Sequence, residues 1–251
     1  MEESNNKMFK FEKPLIKATL IKRNTQFTAE VELDGENITV HVPNTGRIGD
    51  VNLKNIPCLL SYHDDKKRKY NYSLDAVLLS DDDNWVGINQ ILSNKLVQYF
   101  LETNQLSEMI DTKESDESIL REVKLGNSIL DFKVGNIYIE VKTPLMMVSV
   151  KYSKNIKTRP KSPSSSTERF SKHIKELAES LKKEERAILL IVNQYRVTEK
   201  KNFRMILILK KLKRLLKILL KKVLKFGTRN SELNFTPEGV SIYQLPYFYF
   251  F

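Results

Sequence analysis

The sequence predicts an α+β protein: a small N-terminal β-barrel over residues 1–84, then an α/β domain with a mixed central sheet over residues 85–251. Three observations carry that expectation. The first part alternates apolar and polar side chains in short runs parted by turn residues, as small barrels do. From Trp85 to about Thr112 the spacing becomes helical. From Ile119 to Val192 the order reads strand, strand, strand, helix, strand, which suits an α/β core.

In the barrel, Phe27, Ala29, Val31 and Leu33 alternate with Thr28, Glu30 and Glu32. Asp34-Gly35 is a hairpin signal, and Ile38, Val40 and Val42 return from it. Strand-like runs follow at Pro57 to Tyr62 and Ser73 to Leu79. Asn44-Thr45-Gly46 reads as a turn with Gly46 at positive φ; the functional reading is close backbone approach to a phosphate. The basic run Lys66 to Lys69, followed by Tyr70, reads as a solvated loop or as a nucleic-acid contact. Beyond it, Leu92, Leu96, Val97, Phe100 and Leu101 mark the buried stripe of a helix linking the two parts.

Ser128 to Lys142, SILDFKVGNIYIEVK, is the most informative stretch. Two alternating strands meet at the turn Val134-Gly135-Asn136. Glu140 and Lys142 project on one side of their strand, and the hairpin can bring Asp131 beside them. Paired carboxylates suit Mg²⁺ or Mn²⁺, and a neighbouring lysine can orient an attacking water. The alternative is an ordinary ion pair on a solvated hairpin. Glu122, in the run Ile119 to Val123, is a candidate third carboxylate. Thr167 to Lys182 reads as an amphipathic helix, with Arg169, Lys172 and His173 near an N-terminus suited to phosphate. Ala187 to Val192 reads as a buried strand.

Net charge is +11, yet residues Lys200 to Asn230 hold twelve Lys and Arg and no Asp or Glu, so the remainder stands at −1. The overall basicity therefore cannot serve as a footprint of nucleic acid across the chain. Within that segment, Met205 to Phe226 reads as a basic amphipathic helix stopped by Gly227. It suits the core of the second domain first, then a nucleic-acid backbone or a membrane surface. Its abrupt composition also fits reading in a shifted frame, restored near Phe235. The aromatic tail Tyr247 to Phe251 suggests packing either against a domain or against a second subunit, the latter giving a homodimer.

Cys58 is the one cysteine and lies among apolar residues, which excludes an internal disulfide and fits a reducing cytoplasm. Three histidines and one cysteine form no zinc pattern. The charged start MEESNNKMFKFEK lacks a signal-peptide core, and no apolar run long enough to span a membrane is present.

The chain resembles the sugar fermentation stimulation protein A family. The likeness runs from Pro14 to about Asn193 and returns at Phe235 to Tyr243. It rests on Ala18 to Arg23, Pro43-Asn44-Thr45-Gly46, Lys67-Arg68-Lys69-Tyr70, Gly87-Ile88-Asn89, Glu122-Val123-Lys124, Asp131-Phe132, Ile139 to Lys142, Thr167-Glu168-Arg169 and Lys172-His173. The resemblance implies an OB-like barrel joined to a nuclease-like domain of the PD-(D/E)xK type, with nucleic-acid binding, DNA more than RNA. It implies that Asp131, Glu140 and Lys142 form the D…ExK motif, with Glu122 as an acidic helper. It points to Arg23, Asn44, Arg47, Lys67, Arg68, Lys69, Arg169, Lys172 and His173 as nucleic-acid contacts. Phe170 stands where the family usually has glycine, and Ser164 where an aspartate follows the proline. The expectation is thus a Mg²⁺-dependent phosphodiester hydrolase, with a non-enzymatic regulator of sugar-metabolism genes on the same fold as the alternative.

Overall fold

The computed structural model describes residues 8–106, 118–146, 148–160, 186–198 and 226–244; for residues 226–231 and Gln244 only the backbone is described. Strands β1 (Phe9–Lys10), β2 (Ile16–Arg23), β3 (Thr28–Leu33), β4 (Glu36–His41), β5 (Ile56–Tyr62), β6 (Tyr72–Leu78) and β7 (Trp85–Gly87) precede helix α1 (Gln90–Glu102). After it come β8 (Ile119–Leu125), β9 (Ser128–Val134), β10 (Ile137–Lys142), β11 (Arg186–Asn193), β12 (Phe226–Phe235) and β13 (Gly239–Gln244).

The N-terminal sheet has the order β4-β3-β2-β5-β6-β7, and a parallel bridge from His41 to Ser73 joins β4 to β6. That bridge closes the antiparallel ribbon into a barrel at the His41 end of β4. The β3–β4 hairpin turns at Asp34 (φ 52°) and Gly35 (φ 84°), the two positive angles that a tight two-residue turn needs. Gly46 departs from expectation, since it is not among the residues at positive φ. Its amide instead donates to Asn44 Oδ1 at 2.7 Å, so the asparagine side chain shapes that turn.

The second sheet has the order β1-β13-β12-β11-β10-β9-β8 and is mixed. β10, β11 and β12 run parallel; the outer pairs are antiparallel. In β11, every residue from Ala187 to Asn193 is buried, which explains its continuous apolar run. Gly227, expected to stop a helix, lies inside β12 opposite Ile188. Parallel pairing of β12 with β11 outweighs the local glycine signal there. The expected helix over Thr167 to Lys182, residues 205–225 and the aromatic tail lie outside the described residues.

Helix α1 packs on the second sheet through the expected stripe: Leu92, Leu96, Val97, Phe100 and Leu101 are buried with Phe132, Ile139 and Leu190. Asn89 caps it, its Oδ1 accepting from the amides of Ile91 (3.0 Å) and Leu92 (3.2 Å). The two cores interpenetrate in sequence. The sheet core takes Leu15, Leu59, Ala76 and Trp85 from the barrel strands and their lead-in, and the barrel core takes Leu145, Val148, Val150, Ile156 and Tyr195 from beyond β10. Among the described residues, no helix is long and apolar enough to cross a membrane.

A candidate metal and nucleic-acid site

Asp131 and Glu140 lie on the adjacent antiparallel strands β9 and β10, each one residue beyond the pair Ile139–Phe132. The last paired residues before the site are Ile139 and Phe132. Past them the carboxylate of Asp131 takes over: its Oδ2 accepts from the Val141 amide at 2.7 Å. Its Oδ1 accepts from Asn94 Nδ2 of α1 at 2.8 Å. One backbone donor and one side-chain donor therefore hold this carboxylate in a single orientation. Glu140, 6% exposed, sits next along the same strand, and Lys142 Nζ donates to its Oε1 at 2.5 Å. The Lys142 side chain is less than half exposed, and its ammonium is engaged by the buried Glu140.

Two carboxylates on neighbouring strands are the oxygen donors that a hard divalent cation takes. Glu122 does not join them. It is exposed, makes no hydrogen bond or ion pair with the described residues, and takes φ 51° in mid-strand. That left-handed residue interrupts the β8–β9 ladder between the pairs Arg121–Phe132 and Val123–Leu130. Among the described residues, no three His, Cys, Asp or Glu side chains gather in metal-binding geometry. Among the described residues the candidate donor set is thus two carboxylates.

The barrel candidates divide by what already occupies them. Arg23 is largely spent on the protein: it donates to the carbonyls of Thr25 (3.1 Å), Gln26 (2.8 Å) and Gly46 (2.8 Å), and to that of Asn44. Asn44 is 2% exposed, and its Nδ2 lacks a partner. Arg47 bonds to the Gly49 carbonyl (3.1 Å), the Pro160 carbonyl (3.0 Å) and the Asp50 carboxylate (3.2 Å). These three organise the loop after β4. Lys66, Lys67 and Lys69 are exposed on the β5–β6 loop, Lys69 lying 5.4 Å over the Tyr70 ring. Arg68 turns inward to Ser73 Oγ at 3.0 Å. Arg169, Lys172 and His173 lie outside the described residues.

Two family models match, "SfsA N-terminal OB domain" over residues 21–88 and "Sugar fermentation stimulation protein RE domain" over residues 91–223. The chain belongs to the sugar fermentation stimulation protein family. A homolog from Synechococcus sp. (strain JA-2-3B'a(2-13)) is 33% identical over 76% of this chain and 77% of its own length. Another, from Saccharophagus degradans, is 35% identical over 74% and 78%. The solved structure of Pyrococcus furiosus SfsA in complex with Ca²⁺ matches with a TM-score of 0.67 and 19% identity, covering 96% of this chain and 97% of that one. This likeness establishes the shared fold: an N-terminal OB barrel and a mixed C-terminal sheet.

Within this sugar fermentation stimulation fold, several polar residues escaped the sequence reading. Asn94, which orients Asp131, is one. Ser93 is another: 3% exposed, it bonds to Thr143 Oγ1 at 2.7 Å and receives Gln194 Nε2 at 2.8 Å. Gln194 is fully buried, and its Nε2 also reaches the Asn89 carbonyl at 3.0 Å. The signal was a serine and an asparagine directly after Leu92, inside an otherwise apolar stripe. Asp75 is the third, a lone acid in the strand YSLDAVL, 3% exposed. It accepts from Asn89 Nδ2 at 2.6 Å and from the Ser61 amide at 2.9 Å. Burial pushes its pKa up, and those hydrogen bonds oppose the shift.

Proposed function

We propose that this protein binds nucleic acid, DNA in preference to RNA, and hydrolyses phosphodiester bonds with Mg²⁺ or Mn²⁺ at a PD-(D/E)xK-type site. The observation that carries the reading is the pair of adjacent strands β9 and β10, on which Asp131 is held by Asn94 and the Val141 amide while Lys142 bonds to Glu140. The OB-domain match supports nucleic-acid binding, and the Pyrococcus furiosus relative is a Ca²⁺ complex. Asp131 and Glu140 would hold the ion. Bound there, it supplies charge neutralisation at the scissile phosphate and acidifies a coordinated water.

Lys142 orients that water and answers the negative charge that develops on the phosphate. Its bond to Glu140 keeps the ammonium at the carboxylate pair rather than in bulk solvent. Arg169, Lys172 and His173 steady the phosphate, a role taken from the family resemblance. The exposed lysines of the β5–β6 loop track the nucleic-acid backbone. A second reading is a DNA-binding regulator that keeps the fold without cutting. Ser164 favours it, standing where the family has an aspartate.

Calorimetric titration of Mg²⁺ and Mn²⁺ into wild type and the Asp131→Ala/Glu140→Ala variant, with cleavage assays on labelled single- and double-stranded DNA and RNA, separates the two. Wild type binds metal and cuts; the double variant does neither. Lys142→Ala abolishes cutting and spares most nucleic-acid binding. Metal binding without cutting of any of the four substrates favours the regulator, and no metal binding by wild type overturns the catalytic reading.

A further inference from the structure

At the end where the barrel closes, four segments bring nitrogen bases together. His41 ends β4 and bridges to Ser73 of β6. His63 follows β5, its Nε2 lying 3.0 Å from Ser61 Oγ and 3.1 Å from Ser73 Oγ. Arg68 folds back from the β5–β6 loop to the same Ser73 hydroxyl. Lys95, exposed on α1, is near enough to bear on His63 electrostatically. Among the described residues, the acid that bears on the two histidines is Asp75, whose two oxygens are already committed to Asn89 and Ser61. His41 and His63 are each held below the ordinary histidine value by burial first and Arg68 second, with Asp75 opposing.

Two features ask for a ligand. His41 Nδ1 is buried without a hydrogen-bond partner, which is rare unless something outside the chain supplies one. Arg68 and Lys95 also supply two positive charges, and the buried Asp75 beside them is driven toward its neutral form. A metal ion is disfavoured, because Arg68 and Lys95 repel it and no three ligands of the right kind gather among the described residues. A carboxylate offers two oxygens in one plane, too few directions for donors on four segments. A terminal phosphate offers three oxygens and a second negative charge that backbone diesters lack.

We propose that His41, His63, Arg68 and Lys95 form a binding site for a phosphate monoester at the closing end of the barrel. Asn89, the cap of α1, bonds to Asp75 beneath this cluster, and five residues on Asn94 bonds to Asp131. One helix thus ties the phosphate site to the carboxylate pair. A nucleic acid's terminal phosphate seated on the barrel would direct the strand along α1 toward the metal site. Only this choice of phosphate owner rests on the nuclease reading; the site itself does not.

The chain has three histidines, so their ring resonances can be followed individually in the full-length protein and assigned with His41→Gln and His63→Gln. The titrants are inorganic phosphate, a mononucleotide, and matched oligonucleotides ending in phosphate or hydroxyl. Phosphate monoesters should move the His41 and His63 signals and raise their titration midpoints by about one unit, since a neighbouring dianion favours the charged imidazole. Affinity for the dianion, corrected for protonation of the phosphate itself (second pKa about 6), should rise about tenfold or more between about pH 7.5 and about pH 6 as both rings charge. Arg68→Gln, which leaves both rings in place, should weaken binding about tenfold. A preference for the phosphate-ended over the hydroxyl-ended oligonucleotide assigns the phosphate to nucleic acid; equal response to free phosphate and nucleotide assigns it to a small molecule. The proposal is overturned if neither ring responds at about 10 mM phosphate, a free energy of binding too weak for a built site. It is equally overturned if both oligonucleotides bind alike with the two rings unmoved. Mg²⁺ titration of the same sample reports the Asp131–Glu140 site separately, so either idea can fail alone.

Discussion

In the proposed site, the orientation of Asp131 depends on groups other than the D…ExK side chains. Its carboxylate is aimed by Asn94 and the Val141 amide, so it presents the same lone pairs at every encounter. Removing the side-chain donor frees the carboxylate to rotate. Asn94→Ala is therefore expected to weaken Mg²⁺ or Mn²⁺ binding by about 10- to 100-fold, the usual cost of losing an orienting partner. Calorimetry reads this directly, and Asn94→Gln should not restore it, because the longer amide misplaces the donor. The two barrel histidines give a second expectation. Their folded pKa values lie below the ordinary 6.5, with Arg68, Lys95 and Asp75 as the charged neighbours. Below that ordinary value the unfolded chain takes up protons that the native state refuses, so stability falls as pH falls through the window between 6.5 and the lowered values. Asp75, with a raised pKa, works in the opposite sense, gaining stability as pH falls toward its ordinary 3.8. Denaturant titrations across that upper window should show the loss in wild type and a flatter profile in His41→Gln/His63→Gln. Cys58 has no such role: fully buried, its thiol is pushed up to about 12, and it serves as a small apolar side chain.

Among the elements, the short ones carry the connections. The β3–β4 hairpin was legible because Asp34-Gly35 names its own turn. The loop after β4 was less so. Its shape comes from Arg23, twenty-one residues before Asn44, whose guanidinium gathers four carbonyls from two loops. No local pattern announces such a clamp, and so Arg23 read as a free cation. Strand β7 is a three-residue element on which both cores depend. The Gly87 amide bonds to the Gln194 carbonyl at 2.8 Å. A Cβ there would lie 2.7 Å from Gln194 Cβ and 2.8 Å from both Gln194 Oε1 and Phe235 Cδ2. These neighbours are fully buried and cannot retreat into solvent. Gly87→Ala is expected to cost about 1–3 kcal/mol through forced displacement, measured by chemical denaturation. An unchanged midpoint would mean that β7 is free to shift away from β12.

At the scale of the whole molecule, barrel and sheet are not two beads on a string. Leu59 and Ala76 of the barrel strands pack in the sheet core, and Leu145, Val148, Val150 and Tyr195, which follow sheet strands, pack in the barrel core. Each half leaves apolar surface that only the other covers. A single cooperative unfolding transition is therefore expected, with circular dichroism and the fluorescence of the sole tryptophan coinciding. Trp85 is a sharp probe because it belongs to the barrel sheet yet is buried, 3% exposed, in the other core. Two separated transitions would show that the exchanged residues contribute little to coupling. Leu145→Ala, on the sheet side of the chain, should destabilise the barrel by about 2–5 kcal/mol, as for other large-to-small core changes.

The sequence by itself determined the strands of the barrel, the D…ExK hairpin and the buried stripe of α1, because each is written in a local period: two for a half-buried strand, three to four for a helix. The same alternation singled out Asp131, Glu140 and Lys142 as candidates. Tertiary structure decided which neighbours complete them. Asn94 meets Asp131 across 37 residues, Arg23 meets Gly46 across 23, and Asp75 reaches Asn89 across 14. Tertiary structure also set Glu122 apart from the carboxylate pair, through a left-handed residue inside a strand that no alternation predicts. Such contacts depend on how helix and strands dock, and docking is governed by the shape and burial of surfaces assembled from distant segments.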